Sequence, residues 1–363
     1  MITRSLWCLA VSALLAACGA LSVPRKDAGA SLVGGGAGGG GADGGGSGGG
    51  AGGGGGGGSQ AIDAGWPVTE LPADAFTVTE RPGFQWNDKQ SLLSWNGRLF
   101  YANNDRVFVE AIGQTWAAVN LAVSVDLLAL RATPEGPLLV TLSKEQVLCD
   151  AACRGGASSP RSVDLPFGVF LERACGGGQP VVVRSLRGEY YQLVDGGWPS
   201  LGDPGASLSP GPCFRLRDGA VMISDNDRIR RLLTDGGSRY ETPSSRYLPI
   251  TDFAETSFGL AAMGYSGNEL LIEDGGTWAS VAKPGGDDWM RGFTLPDGRL
   301  LIVGLKTLTV VSQGSLRRWA LPRPFDTRRE SIAMSPEGTV WVVARFVDPL
   351  GDPENHVVGY TLR

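Results

Sequence analysis

Leu270–Val281 reads LLIEDGGTWASV. A run of β-formers enters an Asp-Gly-Gly turn and leaves through a second run opened by Thr-Trp. This is hairpin chemistry, because Asp and Gly accept the dihedrals of a tight turn and apolar residues flank it on both sides. The stretch is either a local site or the turn of a module that recurs. The rest of the chain decides for the module. IGQTWAAV at Ile112–Val119, VDGGWPSL at Val194–Leu201 and QGSLRRWAL at Gln313–Leu321 are versions of the same turn, each followed by a tryptophan.

A second turn recurs out of phase with the first. NGRLFYA, EGPLLVT, GGQPVVV, DGAVMIS, FGLAAMG, DGRLLIV and EGTVWVV place glycines at 97, 136, 178, 219, 259, 298 and 338. Successive steps are 39, 42, 41, 40, 39 and 40 residues. Several short strands repeated at a period near 40 predict a β-propeller, here all-β with seven four-stranded blades. DGGTW is then the hairpin between the third and fourth strands of one blade, and its tryptophan is expected to pack between blades. The last unit stops after HVVGYTLR, short of a fourth strand. DAGWPVTEL near the start looks like DGGWPSLGD at Asp195, so 66–71 is expected to close the last blade. The propeller is assigned to 65–363.

This pattern resembles bacterial lipoproteins carrying propellers of the BNR or Asp-box kind. The Asp-box reads S-x-D-x-G-x-T-W; Asp274 to Trp278 is one residue short and lacks the serine, so the box is degenerate. The resemblance rests on period rather than motif.

The N-terminus carries an address. Arg4 and an apolar run from Leu6 to Leu15 have the length of a signal peptide and are too short to span a bilayer. The run ends in LAAC, Leu15 to Cys18, which resembles the lipobox of bacterial lipoproteins. That resemblance implies a signal peptide over 1–17, and a mature chain beginning at a Cys18 bearing diacylglyceryl and an N-acyl group such as palmitate. Two or more acyl chains suffice for stable anchoring. Gly19 after the cysteine points to the outer membrane rather than inner-membrane retention. Val33–Gly58 is almost entirely glycine. It matches G-x-G-x-x-G repeatedly, but no strand precedes it and no helix follows, so the match carries no phosphate-binding chemistry. Residues 18–64 are expected to be the lipidated cysteine and a disordered tether, whose 46 residues after Cys18 span roughly 35–40 Å.

Charge and composition exclude several classes. Net charge is -5, with 32 basic and 37 acidic side chains, so no basic footprint for nucleic acid exists. The single histidine, His356, rules out His-rich metal sites and leaves no obvious Ser-His-Asp machinery. Neither a G-x-S-x-G elbow nor an H-E-x-x-H is present. No cofactor or metal is expected. Asn103, Asp105, Asp225 and Asp227 fit calcium in type, but they are also what hairpin turns demand.

Six cysteines are present; Cys8 leaves with the signal and Cys18 is lipidated. In an exported protein the remaining Cys149, Cys153, Cys175 and Cys213 read as two disulfides. Cys149–Cys153 would staple a hairpin, and Cys175 and Cys213 lie about one repeat apart. Four cysteines allow three pairings, and a four-cysteine zinc site is the alternative.

Binding is expected in the inter-blade loops, since variable loops on a rigid scaffold are where recognition resides. The candidates there are Arg246, Asp287, Asp288, Trp289, Arg291, Arg323, Arg328 and Arg329. Asp287 and Asp288 beside Trp289 form an acid pair next to an aromatic, which would suit glycoside chemistry, but a solvated loop with the tryptophan tucked inward is the favoured reading. Two functions follow. The first is a membrane-anchored lipoprotein whose monomeric propeller binds a protein or glycan. The second is a carbohydrate-active hydrolase or lyase using carboxylates on the propeller face.

Overall fold

The computed structural model describes residues 65–84, 89–103, 106–110, 115–119, 126–143, 146–149, 161–205, 211–225, 228–241, 250–264, 269–274, 277–282, 288–346 and 354–363. All of them belong to the compact unit Gln60–Arg363. The expectations for the signal peptide, Cys18 and the glycine tether lie outside the described residues, as do Cys153, Arg246 and Asp287.

These residues build seven sheets, each with four antiparallel strands, and two of the sheets gain a fifth, parallel strand. We number the blades along the chain. Their first strands are Gln90–Trp95, Leu127–Ala132, Leu171–Ala174, Cys213–Arg215, Ile250–Thr256, Trp289–Thr294 and Ile332–Met334. In blade 6, Leu300–Gly304 is buried along its whole length, while the outer Ser315–Ala320 is only partly buried, with Arg317 and Ala320 exposed. A second strand sandwiched between neighbouring sheets must be apolar on both faces; an outer strand has one face in water. The hairpin glycines at 219, 298 and 338 adopt φ of 95°, 84° and 90°, which explains why glycine recurs in that turn.

The outer tryptophans fill the wedges between sheets, as expected. Trp198 is buried against blade 2 and donates its indole N–H to Val163 O at 2.9 Å. Trp319 packs on Phe76 with ring centroids 4.9 Å apart and donates to Ala73 O at 3.1 Å.

Ring closure corrects one expectation. The outer strand of blade 7 is Phe76–Pro82, which pairs antiparallel with Glu354–Leu362 from Phe76↔Leu362 to Pro82↔His356. The expected closing segment, 66–71, supplies Val68–Glu70 instead, a short fifth strand parallel to Ser315–Ala320 on the rim of blade 6. FTVTERP offers a longer β-former run with a buried Phe76, whereas Val68–Glu70 is exposed throughout. The ring still closes with an N-terminal strand beside the C-terminal one, so no open sheet edge faces the seam.

Cys175 and Cys213 are joined, linking the end of blade 3's first strand to the start of blade 4's. Cys149 is also disulfide-bonded, with its partner outside the described residues. The zinc alternative therefore falls for Cys175, Cys213 and Cys149. Beside the Cys175–Cys213 bond, Gly176–Gly177 pairs parallel with Phe214 and Arg215 of blade 4.

Candidate functional site

The first strands surround the axis, and four of them are irregular at one place. Register shifts occur between Leu127 and Ala129, Leu171 and Arg173, Ile250 and Asp252, and Trp289 and Arg291. A bulge inserts one residue and re-aims the side chains that follow it. In three blades the residue directly after the bulge is charged: Arg173, Asp252 and Arg291. These join Arg131, Arg329 and Glu330 in a network around the axis.

The network begins in the short 3-10 turn Arg329–Ser331 that leads into blade 7. Arg329 reaches past blade 6 and pairs with Asp252 of blade 5. Glu330 passes blade 1 and accepts from Arg131 of blade 2 at 2.7 Å. Arg131 also donates to Cys175 O at 2.8 Å and Ala174 O at 3.0 Å in blade 3. Arg291 donates to Arg329 O at 3.1 Å and Ile332 O at 2.5 Å, and Gly292 N–H reaches Asp252 Oδ2 at 3.2 Å. Ser91 Oγ accepts from Leu130 N at 2.8 Å, adding blade 1. With the Cys175–Cys213 bond, these contacts link all seven blades near the axis.

The electrostatics follow from this crowding. Burial pushes the Arg291 guanidinium down to about 10 although Glu330 and Asp252 oppose the shift. Burial alone would raise Glu330, but Arg131, Arg291 and Arg329 outweigh it and hold its carboxyl at about 2. Burial also works against charge on Arg329, yet Asp252 and Glu330 overcome it and raise the group. Arg173 is lowered, by burial first and then by Arg329.

Beside Arg173 lies a second set, between blades 3 and 4. Arg184 pairs with Glu172, and Arg230 pairs with Asp225 at 3.1 Å. Tyr240 stacks under Arg230 at 4.2 Å. Tyr190 is fully buried and its hydroxyl has no hydrogen-bond partner. Burial raises that phenol, while Arg184 and Arg173 pull it back.

The sequence candidates separate clearly against this geometry. Arg291 and Arg329 meet in the network; Arg291, placed in a loop by the sequence, is on the first strand of blade 6. Trp289 begins that strand and is 1% exposed, a core residue of blades 5 and 6. Asp288 is exposed just before it. Trp289 therefore does not form an open aromatic wall beside an acid pair. Arg323 sits over the Phe346 ring at 4.2 Å, and Arg328 precedes the 3-10 turn on the surface. Arg131, Arg173, Asp252 and Glu330 were missed. Only Arg131 carried a signal, as the one charged residue in the apolar first strand Leu127–Ala132. His356 lies on the third strand of blade 7, opposite Ala344 and Pro82, with its ring 5.6 Å from Phe346. Asp225, a calcium candidate, is taken by Arg230 and Tyr240.

No protein-family model matches the chain, and no curated protein matches its sequence. Solved structures do match. A streptogramin B lyase superposes with a TM-score of 0.62 at 12% identity, covering 79% of this chain and 98% of the other. Virginiamycin B lyase from Staphylococcus aureus, solved with quinupristin in a catalytically inactive histidine-to-alanine form, gives 0.62 at 11%, covering 79% and 100%. YCF48 bound to D1 peptide gives 0.57 at 13%, covering 82% and 98%. At these identities the likeness establishes the seven-bladed fold and no more.

Proposed function

We propose that this chain is an exported lipoprotein, anchored through Cys18 in the outer membrane, whose propeller is a recognition module for a protein or glycan. The observation that carries the reading is the state of the axial carboxylates. Asp252 and Glu330 are both engaged by guanidiniums, and Glu330 is held at about 2. A carboxyl that donates a proton in glycoside cleavage needs the opposite shift, toward neutral pH. Glu255 is raised by burial, but it sits by the hairpin where blade 5 meets Arg217 N–H of blade 4, away from the network. The structural relatives include a lyase inactivated by loss of a histidine and a propeller holding a peptide. The peptide-holding neighbour supports the recognition reading.

The full chain is to be tested on glycan and peptide arrays, with the retained ligand recovered and weighed by mass spectrometry. Recovery of an unaltered ligand supports recognition, and recovery of a cleaved or eliminated product replaces it with the hydrolase or lyase reading. Anchoring has its own test. Cys18→Ala is expected to abolish incorporation of labelled palmitate and release the protein from membranes, and membrane retention of that variant would refute the lipid anchor.

A further inference from the structure

The four strands of each blade alternate in direction. The turns between first and second and between third and fourth strands therefore share one end, opposite the inter-blade loops. At that end a tryptophan occupies the seam between blades 1 and 2. Trp95, the last residue of blade 1's first strand, packs on the core shared by the two blades and donates its indole N–H to Thr133 O at 2.9 Å. Trp95 pairs with Arg98 across a two-residue turn. Thr133 holds the matching place in blade 2, its N–H donating to Gly136 O at 2.9 Å across Pro134 and Glu135. The threonine side chain does not cross the next seam, because its hydroxyl turns back onto Gly136 O at 2.7 Å.

The seam between blades 2 and 3 is correspondingly open, with a cavity of about 480 Å³. Small-molecule sites run from roughly 300 to 1,000 Å³. The lining is apolar at depth: buried Leu148 and Val163 come from blade 2, half-buried Pro180 and Leu193 from blade 3, and Val194 is exposed on the rim. Hydrogen bonds fix these walls. Val163 N–H donates to Gln146 O at 2.7 Å, and Val163 O accepts from the Trp198 indole at 2.9 Å. Leu193 N–H donates to Val181 O at 2.8 Å, and the Gln179 amide reaches Ala132 O across the seam. A ligand entering such a cavity has little left to order.

Charge at the mouth selects that ligand. Glu135 and Arg161 pair with each other. Asp195 sits in a turn closed by reciprocal 2.9 Å bonds between Val194 and Gly197, and among the described residues its side chain makes no hydrogen bond and no ion pair. One unmatched negative charge is left on the rim of an apolar cavity. An apolar body fills the seam as the Trp95 indole does in the neighbouring one, and a cationic end meets Asp195.

We propose that the cavity between blades 2 and 3 binds a small organic cation, a compact aromatic or aliphatic body carrying one ammonium group. The site shares no residue with the axial network and is independent of the recognition reading.

Tryptamine is the probe, because an indole is what the neighbouring seam holds. Tryptophol and indole-3-acetate keep the ring and exchange the ammonium for a hydroxyl or a carboxylate. Each is titrated into the full-length protein at pH 7 by calorimetry, with the thermal midpoint as a second readout. Tryptamine is expected to saturate one site with a millimolar or tighter Kd, the ordinary yield per atom for a molecule of its size. Tryptophol is expected to bind about 2- to 5-fold more weakly, a modest difference because Asp195 is exposed and its charge is screened, and indole-3-acetate more weakly still. Asp195→Asn is expected to make tryptamine and tryptophol equal. Thr133→Trp repeats blade 1's residue in blade 2, Val194→Trp fills the cavity from its exposed rim, and each is expected to abolish binding. Thr133→Trp gives up the hydroxyl's bonds with Gly136, so where that variant does not unfold cooperatively Val194→Trp decides alone. Failure of tryptamine to saturate, or its retention by either filled variant that folds, overturns the site. Equal binding of tryptamine and tryptophol, tightest binding of indole-3-acetate, or a tryptamine preference that survives Asp195→Asn overturns the cationic assignment.

Discussion

Phe76→Ala tests which segment closes the ring. Phe76 is 4% exposed and packs on Trp319, whose indole in turn donates to Ala73. The same cluster holds Tyr360 and Phe325 of blade 7 and its approach. Removing a buried phenyl ring leaves a cavity and costs about 3–5 kcal/mol. For a domain of this size each kcal/mol lowers the midpoint by roughly 2–4 °C, so a fall of roughly 6–20 °C is expected. Trp66 is only partly buried, its ring edge-on to Phe258 at 6.2 Å, two residues before a three-residue strand that adds to blade 6 without closing anything. Trp66→Ala is therefore expected to cost about 1–2 kcal/mol. Val78→Ala, on the exposed face of the closing strand at 42%, should stay within about 0.5 kcal/mol. Urea denaturation followed by tryptophan fluorescence, with each variant compared at an unchanged m-value, reads all three. A Trp66→Ala cost equal to or above that of Phe76→Ala would sink the closure described above.

Two further consequences concern cross-links and pH, and stand beside the Cys18 test already given. The Cys175–Cys213 bond spans 38 residues, so the double serine variant is expected to lose up to about 4 kcal/mol of unfolding free energy, measured by urea denaturation with and without reductant. Glu330 has a folded-state value near 2 against an ordinary 4.5. A depressed acid stabilises the fold above its unfolded value and loses that contribution as pH falls, here between about 4.5 and 2. Glu330→Gln is expected to flatten the acid limb of the stability profile across that window; an unchanged limb would refute the assignment.

The sequence carried the repeat because the physics of each blade repeats. A hairpin that needs positive φ demands glycine, and five of the seven recurring glycines adopt it: Gly97, Gly219, Gly259, Gly298 and Gly338. A wedge between sheets demands a large ring, as at Trp198 and Trp319. Closure was misread because DAGWPVTEL has the look of a Trp-led outer strand. The alternating β-branched run of FTVTERP was the stronger strand pattern and had a buried anchor in Phe76.

The axial network left no comparable trace. Arg131 and Glu330 are 199 residues apart, and Arg329 and Asp252 are 77 apart. Core positions recur because every blade packs alike. The residues at the axis are instead complementary to one another, so their types vary between blades: serine in blade 1, arginine in blades 2, 3 and 6, aspartate in blade 5. Complementarity of this kind has no period to detect.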